Sequence, residues 1–282
     1  MNIKFFGAIA LTTAIAAISM PASAATLVLY SQDFENPSGF VNDGSDVNIY
    51  KSVNTLYGNQ PPGFTFAQAN TVETLLITGN KAFGTGYSDP SSKGGNYALG
   101  MLTGGDLLGL SFNVGSNQFL NARLDISSID LSEFQGPFVR PGSVPTFEFT
   151  LYDNPSGTTG LGNGTILDVL QASGTASPRT VFDWTEVLLP LNASGSTNGN
   201  VTLRIDLLSG GYAALDNFRI AASDTAGDVG VITPVPPIDP PTETVPEVSP
   251  PPAEAVPEPT TMLGIALAGS GLAYFKRRKA SV

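Results

Sequence analysis

Between residues 25 and 232 apolar and polar side chains alternate with a period of two in several short stretches. TFEFTLY (146 to 152) sets Phe147, Phe149 and Leu151 against Thr146, Glu148, Thr150 and Tyr152. VTLRIDLL (201 to 208) sets Val201, Leu203, Ile205 and Leu207 against Thr202, Arg204 and Asp206, and ARLDISSIDL (122 to 131) offers Leu124, Ile126 and Ile129 as inward positions. Such alternation predicts strands with one face packed and the other wet. Dense groups of turn formers separate them: NDGSD (42 to 46), DNPSG (153 to 157), LGNGT (161 to 165), NASGSTNGN (192 to 200) and SGG (209 to 211). Gly and Asn supply positive φ there and Pro fixes turn corners. No useful run of helical periodicity appears in this region. The pattern predicts an all-β domain over residues 25–232, an antiparallel β-sandwich whose two sheets bury each other's apolar faces.

The two ends break this pattern. A short basic start with Lys4 leads into an apolar run from Phe5 to Met20, then Pro21 and the small-residue site Ala22-Ser23-Ala24. This predicts a secretory signal peptide over residues 1–24, cut between Ala24 and Ala25. From Thr233 to Pro259 the chain carries eleven prolines and five acidic residues, too few large apolar groups for a core. At about 3.1 Å per residue in polyproline II form, such a spacer reaches roughly 80 Å. It is divided here into a Pro/Glu-rich linker (233–255) and a terminal segment (256–282).

Charge and composition narrow the chemistry. Residues 25 to 259 hold all 24 acidic side chains of the chain and eight basic ones, a formal charge of −16. Nucleic-acid binding rests on Lys and Arg displacing counterions, so no nucleic-acid partner is expected of such a body. The sequence has no Cys and no His. That excludes disulfides, thiolate nucleophiles, Ser-His-Asp triads and zinc sites built on Cys or His. Carboxylate pairs, Lys, Tyr and oxygen-ligand cation sites remain.

The last segment joins three parts. Val256-Pro257-Glu258-Pro259 runs into an uncharged, mostly apolar stretch from Thr260 to Phe275, which runs into Lys276, Arg277, Arg278 and Lys279. Sixteen helical residues span about 24 Å, short for a hydrocarbon core of about 30 Å, with Tyr274 and outward-reaching basic side chains making up the difference. The basic cluster predicts a cytoplasmic end and places the acidic body outside. In order and spacing this segment resembles the PEP-CTERM sorting signal of Gram-negative bacteria. The resemblance implies recognition by exosortase, an integral-membrane transpeptidase-like enzyme that cuts near Pro257-Glu258-Pro259. Those residues are then acted upon and catalyse nothing. An ordinary membrane anchor is the alternative.

A second resemblance lies in the body. YSQDFENPSGF (30 to 40) opens it and YAALDNFRIAA (212 to 222) closes it, preceded by DWTEVLLPL (183 to 191) and VTLRIDLL. These stretches resemble the galactose-binding-like jelly rolls of carbohydrate-binding modules and surface proteins. The resemblance implies neighbouring first and last strands with a structural calcium between them, held by Glu35 or Asp33 and by Asp216. If residues 214 to 220 form one regular strand, Asp216 shares a face with Phe218 and Ile220. Its carboxylate then points at the core and needs a cation or several donors. Capping of a strand end by Asp216 and Asn217 is the alternative. Trp184 reads as a core residue; Tyr57, Phe64 and Phe66 would either line a loop-borne groove or close the sandwich edge. Glu133 beside Phe134 and Glu186 near Trp184 are the acids to inspect for glycoside hydrolysis, although each fits an outward strand position.

The expected protein is exported and not an enzyme. It would pass through the general secretion machinery, sit transiently in the inner membrane, be processed by exosortase, and act structurally or adhesively at the cell surface or in extracellular polysaccharide. The alternatives are a carbohydrate-binding module and a carboxylate-dependent glycoside hydrolase.

Overall fold

The computed structural model describes residues 25–41, 47–48, 52–57, 64–70, 72–77, 88–129, 142–179 and 181–231. The expected signal peptide with Ala22 and Ala24, the Pro-rich stretch, the motif Val256–Pro259, the apolar stretch 260–275 and the basic cluster 276–279 all lie outside the described residues. Ala25 is described and exposed, two positions before the first strand. Among the described residues no helix is long and apolar enough to cross a membrane.

Two antiparallel sheets make up the domain. In the first, β10 (Thr185–Asn192), β7 (Phe119–Ser128), β12 (Tyr212–Ser223), β5 (Tyr97–Leu102), β4 (Glu73–Leu76) and β2 (Val47–Asn48) follow in that order, and β1 (Leu27–Gln32) also pairs with β12. In the second, the order is β3 (Ala67–Ala69), β6 (Leu107–Asn113), β11 (Asn200–Ser209), β8 (Thr146–Asp153) and β9 (Ile166–Ser173). One helical turn, α1 (Val53–Leu56), is capped by the Ser52 hydroxyl, which accepts from the Thr55 N–H. The fold is all-β, an antiparallel sandwich of jelly-roll type, and its first and last strands lie side by side over Leu27–Gln32 and Phe218–Ala222.

The alternation read from the sequence places the core. Phe147, Phe149 and Leu151 of β8 and Leu203, Ile205 and Leu207 of β11 project inward from one sheet, and Leu120, Ala122, Leu124 and Ile126 of β7 from the other. All ten are buried in a single apolar cluster. Each large apolar side chain removed from water contributes about 1.5–3 kcal/mol, so this interface supplies the main stabilisation of a domain without disulfides.

A smaller apolar cluster sits on the opposite, outer face of the seven-stranded sheet. It contains Leu75, Ile77, Ala98, Ile129, Phe182, Trp184, Tyr212 and Ala214. The first half of β12 is therefore buried on both faces, which explains its run of small apolar residues where a half-wet strand would alternate. The segment SGG performs a different task from a hairpin turn: it carries the chain from β11 in one sheet to β12 in the other. Gly210 takes φ 104° there, and a Cβ at this position would lie 2.6 Å from Pro145 Cα.

The expectation that residues 214 to 220 form one regular strand is corrected. Opposite β7, the pairing passes from Asp216↔Asp125 to Arg219↔Arg123, so three steps on β12 match two on β7. The extra residue is Asn217, at φ 52°. Such a bulge shifts the phase of the strand. Phe218 and Ile220 join the inner core with Leu215, whereas Asp216 falls on the outer face beside Asp125.

Candidate functional site

The most unusual polar chemistry lies around this bulge. Asp216 is 1% exposed and its Oδ2 has no hydrogen-bond partner, while Oδ1 accepts the Asn217 N–H at 2.6 Å. Its cross-strand neighbour Asp125 is also buried. One Asp125 oxygen takes the Lys93 ammonium at 2.6 Å, and the other takes the Asn217 amide at 3.0 Å. The same Asn217 amide nitrogen donates to the Lys93 carbonyl at 2.9 Å, tying the 88–96 segment to β12.

The opening motif reaches this region by a strained turn. Phe34 adopts φ 55° and buries its ring against Tyr57 and Phe218. Non-glycine residues rarely hold this conformation, and packing enforces it here. Glu35 is thereby laid across the backbone before β5: Oε1 accepts from the Asn96 and Tyr97 amides at 2.7 and 3.1 Å, and Oε2 from the Asn96 side chain at 3.0 Å. Gly95 at φ 58° leaves room for this carboxylate, where any Cβ would collide with it. Asp33 accepts the Glu35 N–H at 3.2 Å.

Burial raises the Asp216 pKa to about 9; the Asn217 N–H opposes the shift, and the negative charges of Glu35, Asp125 and Asp33 add to it. Glu35, Asp33 and Asp216 are thus brought into one electrostatic neighbourhood. Oxygen-only donors and an orphaned buried carboxylate oxygen suit a hard cation. Against that, no group of three or more acidic side chains among the described residues is arranged to hold a metal ion. A cation at Asp216 would therefore complete its shell from backbone carbonyls and water. Asp125 and Lys93, which help to build the site, were not singled out by sequence reasoning, and Asn217 entered it only as a strand-end cap. Alternation placed Asp125 on a wet face, and only the 88–96 segment folding over that face buries it.

The remaining candidates fall as follows. Trp184 is buried, stacked on Phe182 in the outer cluster, and donates its indole N–H to Asp89 at 3.1 Å. Tyr57 and Phe66 are buried, and Phe64 stacks against Tyr30 and Phe112, so these three rings close the sandwich. Glu186 is exposed on β10, and Glu133 lies outside the described residues. Among the described residues no aromatic side chain is exposed. Hollows on the described surface include two lined largely by polar residues. One, of about 250 Å³, runs over β1, β7 and β12; the other, of about 270 Å³, is formed by the loops around Asn154 and Gly160.

No family model matches this chain, and no curated protein matches it. Among solved structures, it is similar to the CBM22-1-GH10 modules of endo-1,4-beta-D-xylanase 10B from Clostridium thermocellum, at 11% identity and a TM-score of 0.35, over 73% of this chain and 30% of that one. The chain thus spans under a third of that protein. It is similar to the CBM22-1 xylan-binding domain of Paenibacillus barcinonensis Xyn10C at 13% identity and a TM-score of 0.36, over 73% of this chain and 100% of that one. It is likewise similar to the K1 cleaved adhesin domain of Lys-gingipain from Porphyromonas gingivalis W83 at 14% identity and a TM-score of 0.32, over 71% and 99%.

Proposed function

We propose that this chain is an exported structural or adhesive protein of the cell surface or extracellular polysaccharide. It would be carried across the inner membrane by the general secretion machinery and processed by exosortase at Pro257-Glu258-Pro259. The carrying observation is the order of motif, apolar stretch and basic cluster at residues 256–279, which nothing in an independently folded sandwich requires. The described body fits this reading: its conspicuous carboxylates at Asp125 and Glu35 are engaged in tying strands and segments together. A structural calcium at Asp216, with Glu35 and Asp33 nearby, would neutralise the buried carboxylate oxygen left unbonded there and would supply no reactivity. The test is intact mass of the exported chain. Processing predicts an N-terminus at Ala25 and a C-terminus close to Pro259; a product still ending at Val282 would reduce the tail to a simple anchor.

A second reading, glycan binding by the sandwich, is favoured by these two hollows, whose lining side chains offer hydroxyl, amide and guanidinium groups to a hydroxylated ligand. A glycan-array screen of the exported chain tests it. Absence of binding to every glycan leaves scaffolding alone.

A further inference from the structure

We propose that the hollow centred on Arg123 is a binding site for acidic polysaccharide, taking the carboxylate of a uronic acid residue. This deepens the glycan-binding reading and rests on it for the kind of polymer encountered. The sheet register carries the argument. Ser31 on β1, Arg219 on β12 and Arg123 on β7 are successive cross-strand partners. Two guanidinium groups therefore stand opposite one another on adjacent strands, in a body where acidic side chains outnumber basic ones threefold. Like charges so placed are destabilising unless something between them compensates.

The two arginines are not equivalent. Arg219 is fixed, donating through Nε to the Val229 carbonyl at 2.9 Å and through Nη2 to the Val231 carbonyl at 3.1 Å. Arg123 forms no hydrogen bond or ion pair among the described residues. Its neighbour two positions along β7, Asp125, is already engaged by Lys93 and Asn217. Arg123 thus presents a planar fork of donors that no described residue uses, the geometry that grips a carboxylate in two parallel bonds.

The hollow exists because the outer face of β7 is covered on either side of this position and not at it. Asn121 is sealed under the 224–231 segment, its amide donating to the Thr225 and Asp228 carbonyls and accepting from the Gly227 N–H. Asp125 is sealed under Lys93. The gap between these covers is the 250 Å³ hollow, lined by Ser31, Gln32, Asp33, Asn217 and the two arginines, with Phe218 beneath. That is below the roughly 300–1,000 Å³ of a drug-sized pocket and suits one sugar ring of a polymer passing across an open surface. Ser31, Gln32 and Asn217 supply hydrogen-bonding groups for ring hydroxyls. Asp33 at the rim accepts from hydroxyls and repels a second carboxylate, which orients the ring with its acid toward Arg123. The hollow's one aromatic neighbour, Phe218, is buried and offers no face for a sugar to stack on, so charge becomes the discriminating contact.

The test is titration of the exported chain at about 0.15 M salt, where the Debye length is about 8 Å and repulsion from the rest of the acidic body is largely screened. The probes are trimers of galacturonate, glucuronate and mannuronate, together with their methyl esters, which keep the ring and remove the charge. At least one acidic trimer should bind, its ester at least tenfold more weakly. Arg123→Ala should lose tenfold or more and Arg123→Lys should retain part. The melting temperature of Arg123→Ala should be unchanged or raised, because a like-charge contact is relieved. Equal affinity for acid and ester, or native affinity in Arg123→Ala, overturns the proposal. If neutral glycans bind and uronates do not, this site fails while the glycan-binding reading survives. If no glycan binds, both fail.

Discussion

Asp216 is a buried carboxylate whose pKa is raised, and that fixes the sign of its effect on stability. Its carboxyl titrates near 3.8 in an open chain and at about 9 when folded, so between those values the folded state holds more protons than the unfolded one. Stability contributed by the neutral form is complete at low pH and is lost as pH rises through that window. Glu73 acts in the same direction up to about pH 7: burial raises it, the bond from the Tyr212 hydroxyl opposes the rise, and Asp106 adds to it. The interval from pH 7 to 9 therefore reports Asp216. In chelator the melting temperature should decline across this interval, and Asp216→Asn should abolish the decline. If calcium occupies the site, adding it at pH 8 should raise the melting temperature by roughly 5–10 °C at a hundredfold excess over its dissociation constant. Asp216→Ala should remove that response, and a native melting point indifferent to chelator would count against the cation.

The bulge in β12 sets which residues face which way, and Asn217 makes it. Its φ of 52° lies where a β-branched side chain is strained, and its amide bonds both Asp125 and the Lys93 carbonyl. Asn217→Val should destabilise by about 2–4 kcal/mol in urea unfolding, combining left-handed strain with two lost hydrogen bonds. Asn217→Gly should cost less, since only the bonds are lost. Equal losses would mean that the backbone there is not left-handed. Strands β8 and β11 were legible because large apolar residues such as Phe147 and Leu203 alternate strictly with polar ones, although Thr150, Tyr152 and Thr202 on the other face are also buried. The first half of β12 was not: Ala213 and Leu215 pack into the inner core while Tyr212 and Ala214 pack into the outer cluster, and a strand covered on both sides has no period to read. A bulge adds one residue without any compositional mark beyond an Asn that also suits a turn.

At the scale of the whole molecule, a body of charge −16 without disulfides depends on one large inter-sheet core and on a few engaged carboxylates. The terminal cassette makes its own prediction about where that body goes. Replacing Lys276, Arg277, Arg278 and Lys279 by Gln removes the charges proposed to hold the tail on the cytoplasmic side. Uncut chain should then appear beyond the inner membrane, detected by its unshortened mass in the exported fraction. Normal processing of this variant would show that the basic cluster does not set topology.

The sequence by itself determined the class of fold, the chemistry that the chain cannot perform, and the order of terminal segments on which the proposal of export and trimming rests. Those properties are local: alternation within a strand, the absence of Cys and His, and the succession of apolar and basic residues all survive without knowledge of contacts. Tertiary structure alone decided that Asp216 faces outward yet is buried beside Asp125, that Lys93 meets Asp125, and that Arg123 and Arg219 stand opposed in an open gap. These depend on one inserted residue and on distant segments folding over a sheet face, and neither the register nor the covering segment is encoded in the residues it brings together.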